Sequence, residues 1–352
     1  MSIYNSQLWI KDIDRIIVAN PWISSLAGKS VLITGVGGLV CSAIADIIIR
    51  FNETHDLPIV IFAAGRSEER IKERFGAYTE RSYFRYIHYD ATNPNFDYPL
   101  SADYIIQGAS NSAPDMITRE PVETILSNIV GLNALLNYAK NRSVQRVLYI
   151  SSSEVYGAKE DNEPYKEGQY GYIDILRSRN SYSEGKRAAE TLCVSYSEEY
   201  GVDSVIIRPG HIYGPTAIKN DNHVSSQWAY AAARGDNIVM KSDGTQLRSY
   251  VYCLDSAAAI LTVLMKGERS QAYNISNPES VISIKQMAEL LSKSARVELK
   301  MELPTDSEKK GFNPMSNSSL DSSSLIELGW QGCFDAETGF AHTVQILKEL
   351  EC

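Results

Sequence analysis

The sequence of 352 residues predicts an α/β protein built on a doubly wound parallel sheet, with a smaller, discontinuous C-terminal domain. Three observations support this prediction. Short β-branched runs alternate with helical patterns, a glycine-rich turn comes after the first of these runs, and the alternation breaks near Pro209. Strands that alternate with helices pair in parallel and carry helices on both faces of the sheet.

Six apolar runs are predicted to form the strands, because each is short, rich in β-branched residues and bounded by turns or helical patterns. The clearest helical pattern, Pro121 to Lys140, repeats its leucines and isoleucines at helical spacing. Such a helix buries one face against the sheet. The six runs are Val31 to Thr34, Ile59 to Ala63, Phe84 to His88, Tyr104 to Gln107, Arg146 to Ile150 and Ser204 to Arg208.

The break after Pro209 predicts two domains. We assign 30–208 plus about 246–265 to the first domain, and about 209–245 plus 266–352 to the second. Residues 1–29 form an N-terminal helical arm, whose apolar spacing from Leu8 to Ile17 predicts a short amphipathic helix. We expect this arm to pack on the body without chemistry of its own.

Composition argues against several functional classes. The formal charge of -9 disfavours a nucleic acid partner, because such binding needs clustered Lys and Arg. No apolar run is long enough to cross a bilayer and the N-terminus is charged, so we expect a cytoplasmic protein without a membrane partner. The five scattered cysteines lack the spacing of a zinc site or a disulfide framework, so we expect no metal and interpret them as buried small hydrophobes.

A glycine-rich turn lies between the first predicted strand and the helical run after it. Glycines let the backbone turn sharply and approach a pyrophosphate, which then accepts hydrogen bonds from N–H groups at a helix N-terminus. We therefore predict a Rossmann-type dinucleotide site formed by Gly35, Gly37, Gly38, Leu39 and Val40.

The spacing of Gly35, Gly38 and position 41 resembles the TGxxGxxG turn of the extended short-chain dehydrogenase/reductase family, in particular its NAD-dependent epimerases and dehydratases. The resemblance extends over about residues 30 to 332. It implies NAD as the cofactor and a nucleotide sugar as the substrate, bound by the second domain. Cys41 stands where the family has a third glycine, and we expect it to shift the helix slightly without abolishing binding.

Three further positions bear on the cofactor. The second strand ends at Arg66 without the acidic residue that would bind the 2′-hydroxyl of NAD. Arg66 either meets a 2′-phosphate, which keeps NADP as the alternative, or is a solvated arginine. The resemblance places Asp90 at the adenine and Ala109 at the cofactor, and for Asp90 the alternative is a turn or a helix cap.

Tyr182 and Lys186 are spaced i, i+4 and share one face of a predicted helix. An ammonium beside a phenol favours the phenolate, which can act as a base near neutral pH. Upstream, a predicted buried strand ends in Ser151, Ser152 and Ser153. Such serines can simply cap a strand, but the order of glycine turn, serine strand and Tyr-Lys pair favours a catalytic set.

The match to the family's SSxxVYG signature implies that Ser152 carries the catalytic hydroxyl, which hydrogen-bonds the oxygen of the sugar carbon that is oxidised. The resemblance implies that Tyr182 takes the proton of the sugar C4 hydroxyl while C4 gives hydride to the nicotinamide. It also implies that Lys186 holds the ribose and tunes Tyr182. A 4-keto sugar results.

Positions 153 and 154 indicate the fate of this 4-keto sugar. A 4,6-dehydratase would have Asp at 153 as a proton donor, where this sequence has Ser153, and a simple 4-epimerase would leave Glu154 without a role. UDP-glucuronate decarboxylases have Ser and then Glu, and the likeness continues in 109–114 and 184–191. The resemblance therefore favours a catalytic Glu154 and a 4-keto intermediate that is a β-keto acid and loses carbon dioxide.

Ser153, His211 and Arg248 are predicted to contact the substrate. His211 stands where the family has an Asn against the diphosphate; a neutral imidazole can still donate one hydrogen bond, and a packed loop histidine is the alternative. Arg248 matches a family arginine whose planar fork pairs phosphate oxygens. A second family arginine is expected near 315–320, where the sequence has no cation.

Three interpretations stay open. The first is decarboxylation of UDP-glucuronate. The second is C4 epimerisation or keto reduction of another nucleotide sugar, and 4,6-dehydration is a less favoured alternative to these. The third is a dinucleotide-binding sensor, which would have no reason to keep Ser152, Tyr182 and Lys186 together. The resemblance also implies a homodimer paired through the helices near Pro121 to Lys140 and Tyr182 to Tyr200.

Overall fold

A computed structural model describes residues 2–99, 102–303 and 316–351. Its centre is a parallel sheet of seven strands in the order β10-β6-β5-β4-β1-β2-β3. The order reverses beside β1, so the sheet is doubly wound, as predicted. The strands are β1 (Ser30–Thr34), β2 (Val60–Gly65), β3 (Phe84–His88), β4 (Tyr104–Gln107), β5 (Arg146–Ile150), β6 (Ser204–Pro209), β7 (His211–Tyr213), β8 (Ile238–Met240), β9 (Leu247–Tyr252), β10 (Ala272–Ile275), β11 (Val281–Ser283) and β12 (Leu299–Met301).

Helices cover both faces of this sheet, and alternate residues of β1 show it. Val31 and Ile33 pack into one apolar core, whereas Leu32 packs into the other. The helices are α1 (Gln7–Ala19), α2 (Leu39–Thr54), α3 (Glu68–Phe75), α4 (Pro114–Arg119), α5 (Pro121–Asn141), α6 (Ser181–Tyr200), α7 (Val224–Arg234), α8 (Cys253–Lys266), α9 (Ile284–Ala295), α10 (Ser323–Glu327) and α11 (Ala336–Glu351). All six predicted strands and the predicted long helix α5 are present, with ends that differ by at most two residues.

The second region carries two small sheets. In one, β9 pairs with β7 in parallel and with β11 in antiparallel, and in the other β8 pairs with β12. Two strands differ from the expected domain division, which otherwise stays a prediction. β10 joins the large sheet beside β6, although 266–352 was assigned to the second domain, and β9 pairs outside the large sheet. The sequence signal of β10 is weak because the strand has four residues and a buried polar one, Asn274.

The N-terminal arm forms the expected packing helix. Trp9, Ile13 and Ile16 of α1 are buried. The Asp12 carboxylate accepts a hydrogen bond from the Tyr252 hydroxyl at 3.0 Å and pairs with His342 Nδ1 of α11 at 3.0 Å. The helix is therefore tied to β9 and to α11.

The cysteines of the described part of the chain have free thiols. Cys41, Cys193 and Cys253 are buried and Cys333 is partly buried, as expected for small hydrophobes, while Cys352 lies outside the described residues. Within 2–99, 102–303 and 316–351, no helix combines the length and apolar character needed to cross a bilayer.

Candidate active site

The predicted site residues lie at the carboxyl ends of the parallel strands. The glycine turn comes after β1, Arg66 after β2, Ala109 after β4 and Ser152 after β5. This edge, beside the point where the strand order reverses, is where open α/β sheets form a crevice.

The glycine turn has the geometry of a pyrophosphate site. Gly35 has φ of 68°, and a Cβ there would stand 3.0 Å from the backbone of Ala109, so only glycine fits. A Cβ on Gly37 would meet nothing within 4 Å, which leaves that face open. α2 begins at Leu39, so the first N–H groups of the helix, including those of Leu39 and Val40, have no acceptor within it.

Thr34 joins the turn to the loop after β4. Its hydroxyl oxygen accepts the N–H of Gly108 at 3.1 Å and of Ala109 at 3.2 Å, and the hydroxyl also bonds to the Gln107 amide oxygen. Sequence reasoning did not single out Thr34, because its partners lie 73 to 75 residues away.

Cys41, the departure from the family turn, occupies space that Gly108 leaves. The Cys41 side chain is 4% exposed, and a Cβ on Gly108 would overlap its Sγ. The extra side chain at 41 is therefore accommodated by a glycine on the neighbouring strand end.

Replacing Gly108 by Ala is expected to lower the free energy of unfolding by about 1–3 kcal/mol, because the new methyl group overlaps Cys41. Urea denaturation measures the change. The double variant Cys41→Gly/Gly108→Ala should recover most of the loss. A Gly108→Ala protein as stable as wild type would show that this contact is not tight.

Arg66 and Asp90 lie together at the ends of β2 and β3. Asp90 accepts the N–H and the hydroxyl of Thr92, both at 2.9 Å, so it forms the turn that was the alternative interpretation. These bonds, with the nearby Arg66 charge, lower the pKa of Asp90. Arg66 itself is exposed.

The catalytic set meets at the end of β5. Tyr182 lies buried in the first turn of α6, and its hydroxyl hydrogen-bonds Ser152, whose oxygen also accepts the N–H of Glu154 at 3.2 Å. Lys186 Nζ lies 5.6 Å from the centre of the Tyr182 ring. The structure thus brings together Ser152, Glu154, Tyr182 and Lys186.

One expectation about this set is wrong. Lys186 was expected to lower the pKa of Tyr182, but burial and the Glu154 charge raise that pKa, against weaker opposing effects of Ser152 and Arg179. Lys186 instead donates to the Ile150 carbonyl at 2.7 Å, and burial lowers the Lys186 pKa to about 7.

Glu154 is paired with an arginine that sequence reasoning missed. Arg179 donates to both Glu154 oxygens at 3.1 Å, and the Ser183 hydroxyl donates at 2.9 Å. Arg179 lies three residues before Tyr182, so this spacing was the available signal. The pair holds a carboxylate and a guanidinium beside the reactive phenol. Ser153 begins the 3₁₀ turn Ser153–Tyr156, which follows β5 and contains Glu154.

His211 and Arg248 lie on the paired strands β7 and β9, with His211 opposite Tyr250. Burial, with the Arg248 and His223 charges, lowers the pKa of His211 to about 3, so its imidazole is neutral. Its Nδ1 is buried and has no hydrogen-bond partner in the described part of the chain. Arg248 is 3% exposed and donates to the Leu247 carbonyl at 2.8 Å.

The segment expected to carry a second arginine runs along β9. The Leu247 N–H donates to the Ser316 carbonyl at 2.8 Å, and Ser318 N–H donates to the Leu247 carbonyl at 3.1 Å. The described positions here are 316–320, whereas Met315 lies outside the described residues. The hydroxyls of Ser318 and Ser319 are buried without partners among those residues.

A histidine dyad that sequence reasoning also missed stands just before α7. His223 Nδ1 lies 2.6 Å from Asp221 Oδ1, and the Ser226 hydroxyl donates to the other Asp221 oxygen at 2.7 Å. The His223 ring also bonds to the Ser112 backbone in the loop after β4, and its charge interacts with Glu154. The hydrogen bond and charge of Asp221, followed by the bond to the Ser112 backbone, raise the pKa of His223 against the opposing effect of burial.

A buried ion pair lies beneath the serine strand. Arg208 Nε and Nη2 donate to the two oxygens of Glu190 at 2.9 and 2.6 Å, and the Ser151 hydroxyl donates to Glu190 at 2.5 Å. Arg208 also donates to the hydroxyls of Tyr156 and Tyr170. This network supports the strand end that carries Ser152.

Comparison with known proteins gives consistent matches. The NAD dependent epimerase/dehydratase family model matches residues 31–276. UDP-glucuronic acid decarboxylase 6 of Arabidopsis thaliana is 31% identical over 86% of this chain and 83% of its own length. UDP-glucuronic acid decarboxylase 1 of Xenopus tropicalis is 28% identical over 94% of this chain and 75% of its length.

Solved structures share the fold. The UDP-glucuronic acid 4-epimerase of Bacillus cereus, in complex with UDP-glucuronic acid and NAD, superimposes with a TM-score of 0.76 at 18% identity, covering 91% of this chain and 99% of that one. With the glycine turn and the Ser-Tyr-Lys set in place, the matched family model is decisive: the chain belongs to the NAD dependent epimerase/dehydratase family.

Proposed function

We propose that the protein is an NAD-dependent nucleotide-sugar enzyme that decarboxylates UDP-glucuronate. The observation that carries the proposal is the position of Glu154, which is held by Arg179 and Ser183 beside the Ser152 and Tyr182 hydroxyls. The names of the two decarboxylase relatives support it. A sensor would need none of these groups.

NAD fits the residues at the glycine turn. The left-handed Gly35, the open face at Gly37 and the helix N–H groups suit a pyrophosphate, and the buried Ser110 hydroxyl beside Ala109 has no partner among the described residues. Bound there, NAD would supply a reversible hydride acceptor for sugar C4. Arg66 keeps NADP as the alternative cofactor. The residues that would bind the cofactor are Gly35, Gly37, Gly38, Leu39, Val40, Arg66, Asp90, Ala109, Tyr182 and Lys186.

Tyr182 and Ser152 handle the proton of the C4 hydroxyl. Ser152 orients the sugar oxygen, and Tyr182 takes its proton and later returns it. Lys186 uses one N–H on the Ile150 carbonyl and has two more donors for the ribose hydroxyls. In this position it holds the reacting groups together.

Glu154 drives the loss of carbon dioxide through its charge. A substrate carboxylate beside Glu154 experiences repulsion, while the electrons that leave C6 move to the C4 oxygen beside Ser152 and Tyr182. Arg179 holds the Glu154 carboxylate in place through two hydrogen bonds. His211 and Arg248 hold the diphosphate side of the substrate, with Ser153 near the sugar.

The second candidate is C4 epimerisation or keto reduction of a related nucleotide sugar. It is favoured by the neutral residues at 316–319, where the decarboxylase resemblance predicts a cation. This reaction needs Ser152, Tyr182 and Lys186 but no cation for a carboxylate.

Mass spectrometry of nucleotide sugars after incubation with the pure protein and NAD tests the proposal. UDP-glucuronate should lose one carbon dioxide, while UDP-glucose and dTDP-glucose, the matched controls, should keep their mass. Loss of water from a neutral hexose would replace the decarboxylase proposal with a dehydratase. No mass change in any sample would reject both and direct the search to epimers by chromatography.

We also propose a cytoplasmic homodimer. Val122 and Leu126 are exposed on α5, which packs against α6, and two such pairs would bury these side chains. The buried free thiols suit a reducing compartment. Light scattering should give twice the chain mass at micromolar concentration, and a monomer would reject the dimer.

A further inference from the structure

Decarboxylation of a sugar acid consumes one proton. When the C5–C6 bond breaks, its electron pair forms the enolate of the C4 ketone and carbon dioxide leaves. C5 must then take a proton before the hydride returns to C4. Tyr182 cannot supply this proton without a deficit, because it takes one proton from the C4 hydroxyl and returns it to the same oxygen. A second acid, in exchange with solvent, is therefore required.

The other groups at the centre do not suit this task. His211 is neutral and buried, since its pKa lies at about 3. Glu154 is bonded to Arg179 and Ser183 as an acceptor. Lys186 is 3% exposed, so it lacks the exchange with solvent that this acid needs, and it donates to the Ile150 carbonyl. The guanidinium groups of Arg179 and Arg248 do not release protons at neutral pH.

His223 has the required position and access. It contacts Asp221 just before α7 and the Ser112 backbone in the loop after β4, and its charge interacts with Glu154 of the catalytic set. Its side chain is 43% exposed, so it can exchange protons with water, whereas that of Asp221 is 11% exposed. The charged and titratable groups that it faces are Asp221, Glu154 and His211.

We propose that His223, held by Asp221, is the acid that protonates C5 of the sugar after carbon dioxide leaves. This inference rests on the decarboxylase function proposed above. The proton on Nε2, the ring nitrogen that does not face Asp221, passes to C5 once substrate fills the cleft. The C5–H bond forms, the enolate becomes the 4-ketopentose, and the imidazole regains its proton from water. Asp221 favours the protonated ring and fixes its orientation.

The test separates carbon dioxide release from product formation in His223→Gln. The protein, with excess NAD, is given UDP-glucuronate labelled at C6 in deuterium oxide for a single turnover. We expect carbon dioxide release to fall less than about tenfold, while UDP-pentose falls by about 10²-fold or more. The enolate then leaves the site and takes its proton from water, so it is recovered as UDP-4-ketopentose. Wild type should place one deuterium at C5 with one configuration, and the variant should lose that selectivity.

His55→Gln is the matched control, because His55 is exposed at the carboxyl end of α2, whereas the glycine turn lies at the amino end of that helix. It should match wild type. The inference would be overturned if His223→Gln formed UDP-pentose at the wild-type rate. It would also be overturned if carbon dioxide release and UDP-pentose formation fell equally in this variant. Absence of carbon dioxide from wild type would instead reject the decarboxylase function itself.

The pH profile gives an independent measurement. The protonated ring is the acid, so pentose formation should fall as pH rises through the pKa of His223, which lies above its ordinary 6.5. Asp221→Asn removes the charge that raises this pKa and should move the fall to lower pH. If pentose formation fell at the same pH in Asp221→Asn as in wild type, the role of the His223–Asp221 dyad would be contradicted.

Discussion

Tyr182→Phe is expected to lower kcat on the nucleotide sugar by about 10²–10⁴-fold, the usual contribution of a positioned acid or base. The variant loses only the hydroxyl that bonds to Ser152 and that exchanges a proton with the sugar. Ser152 and Lys186 do not replace it, because a serine hydroxyl is a far weaker acid and base and Lys186 donates to the Ile150 carbonyl. Steady-state kinetics with the substrate found by mass spectrometry measures the effect.

The stability of Tyr182→Phe should change by about 1 kcal/mol or less, the net value of one hydrogen bond. Tyr200→Phe is the control, because it makes the same chemical change at the far end of α6, where the side chain is 44% exposed. It should leave kcat unaltered. A Tyr182→Phe protein that keeps its turnover would exclude Tyr182 as the group that moves the proton.

Arg208→Leu is expected to lower the free energy of unfolding by about 3–5 kcal/mol, because it leaves the Glu190 carboxylate buried without its counter-ion. Arg208 is 1% exposed and donates to both Glu190 oxygens. It also donates to the Tyr156 hydroxyl and to the Glu167 carbonyl. Urea denaturation monitored by circular dichroism measures the loss.

A double-mutant cycle tests the cause of this loss. Glu190→Gln removes the stranded charge, so the double variant should lose less than the sum of the two single variants. Arg234→Leu, which breaks an exposed pair with Asp236, is the matched control and should cost at most about 1 kcal/mol. Additive losses in the cycle would mean that Arg208 acts through packing alone.

The sheet was predictable because its strands carry local signals. Each of the first six strands is a β-branched run, and the helices between them require parallel pairing. β10 lacked such a signal. Its burial is decided by the neighbouring strand β6 and by Asn274, whose side chain accepts a hydrogen bond from the Tyr156 hydroxyl at 2.5 Å.

The candidate site was predictable where its residues form local motifs, as in the glycine turn, Ser152 and the pair Tyr182 and Lys186. Contacts across the cleft were not. His223 meets the Ser112 backbone more than a hundred residues away, and no spacing rule connects them. The orientation of the Lys186 side chain could not be predicted from the sequence either, because its rotamer depends on burial and on the hydrogen bond to the Ile150 carbonyl.

The contact between Asp12 and His342 has a consequence for the timing of folding during synthesis. The two residues lie 330 positions apart. At about 5–20 residues per second, a ribosome makes His342 roughly 15–65 s after Asp12. During that interval α1, with Trp9 and its apolar face, lacks the last helix that completes its site. The N-terminal segment therefore needs either early docking on α2 or protection by a chaperone until translation is nearly finished.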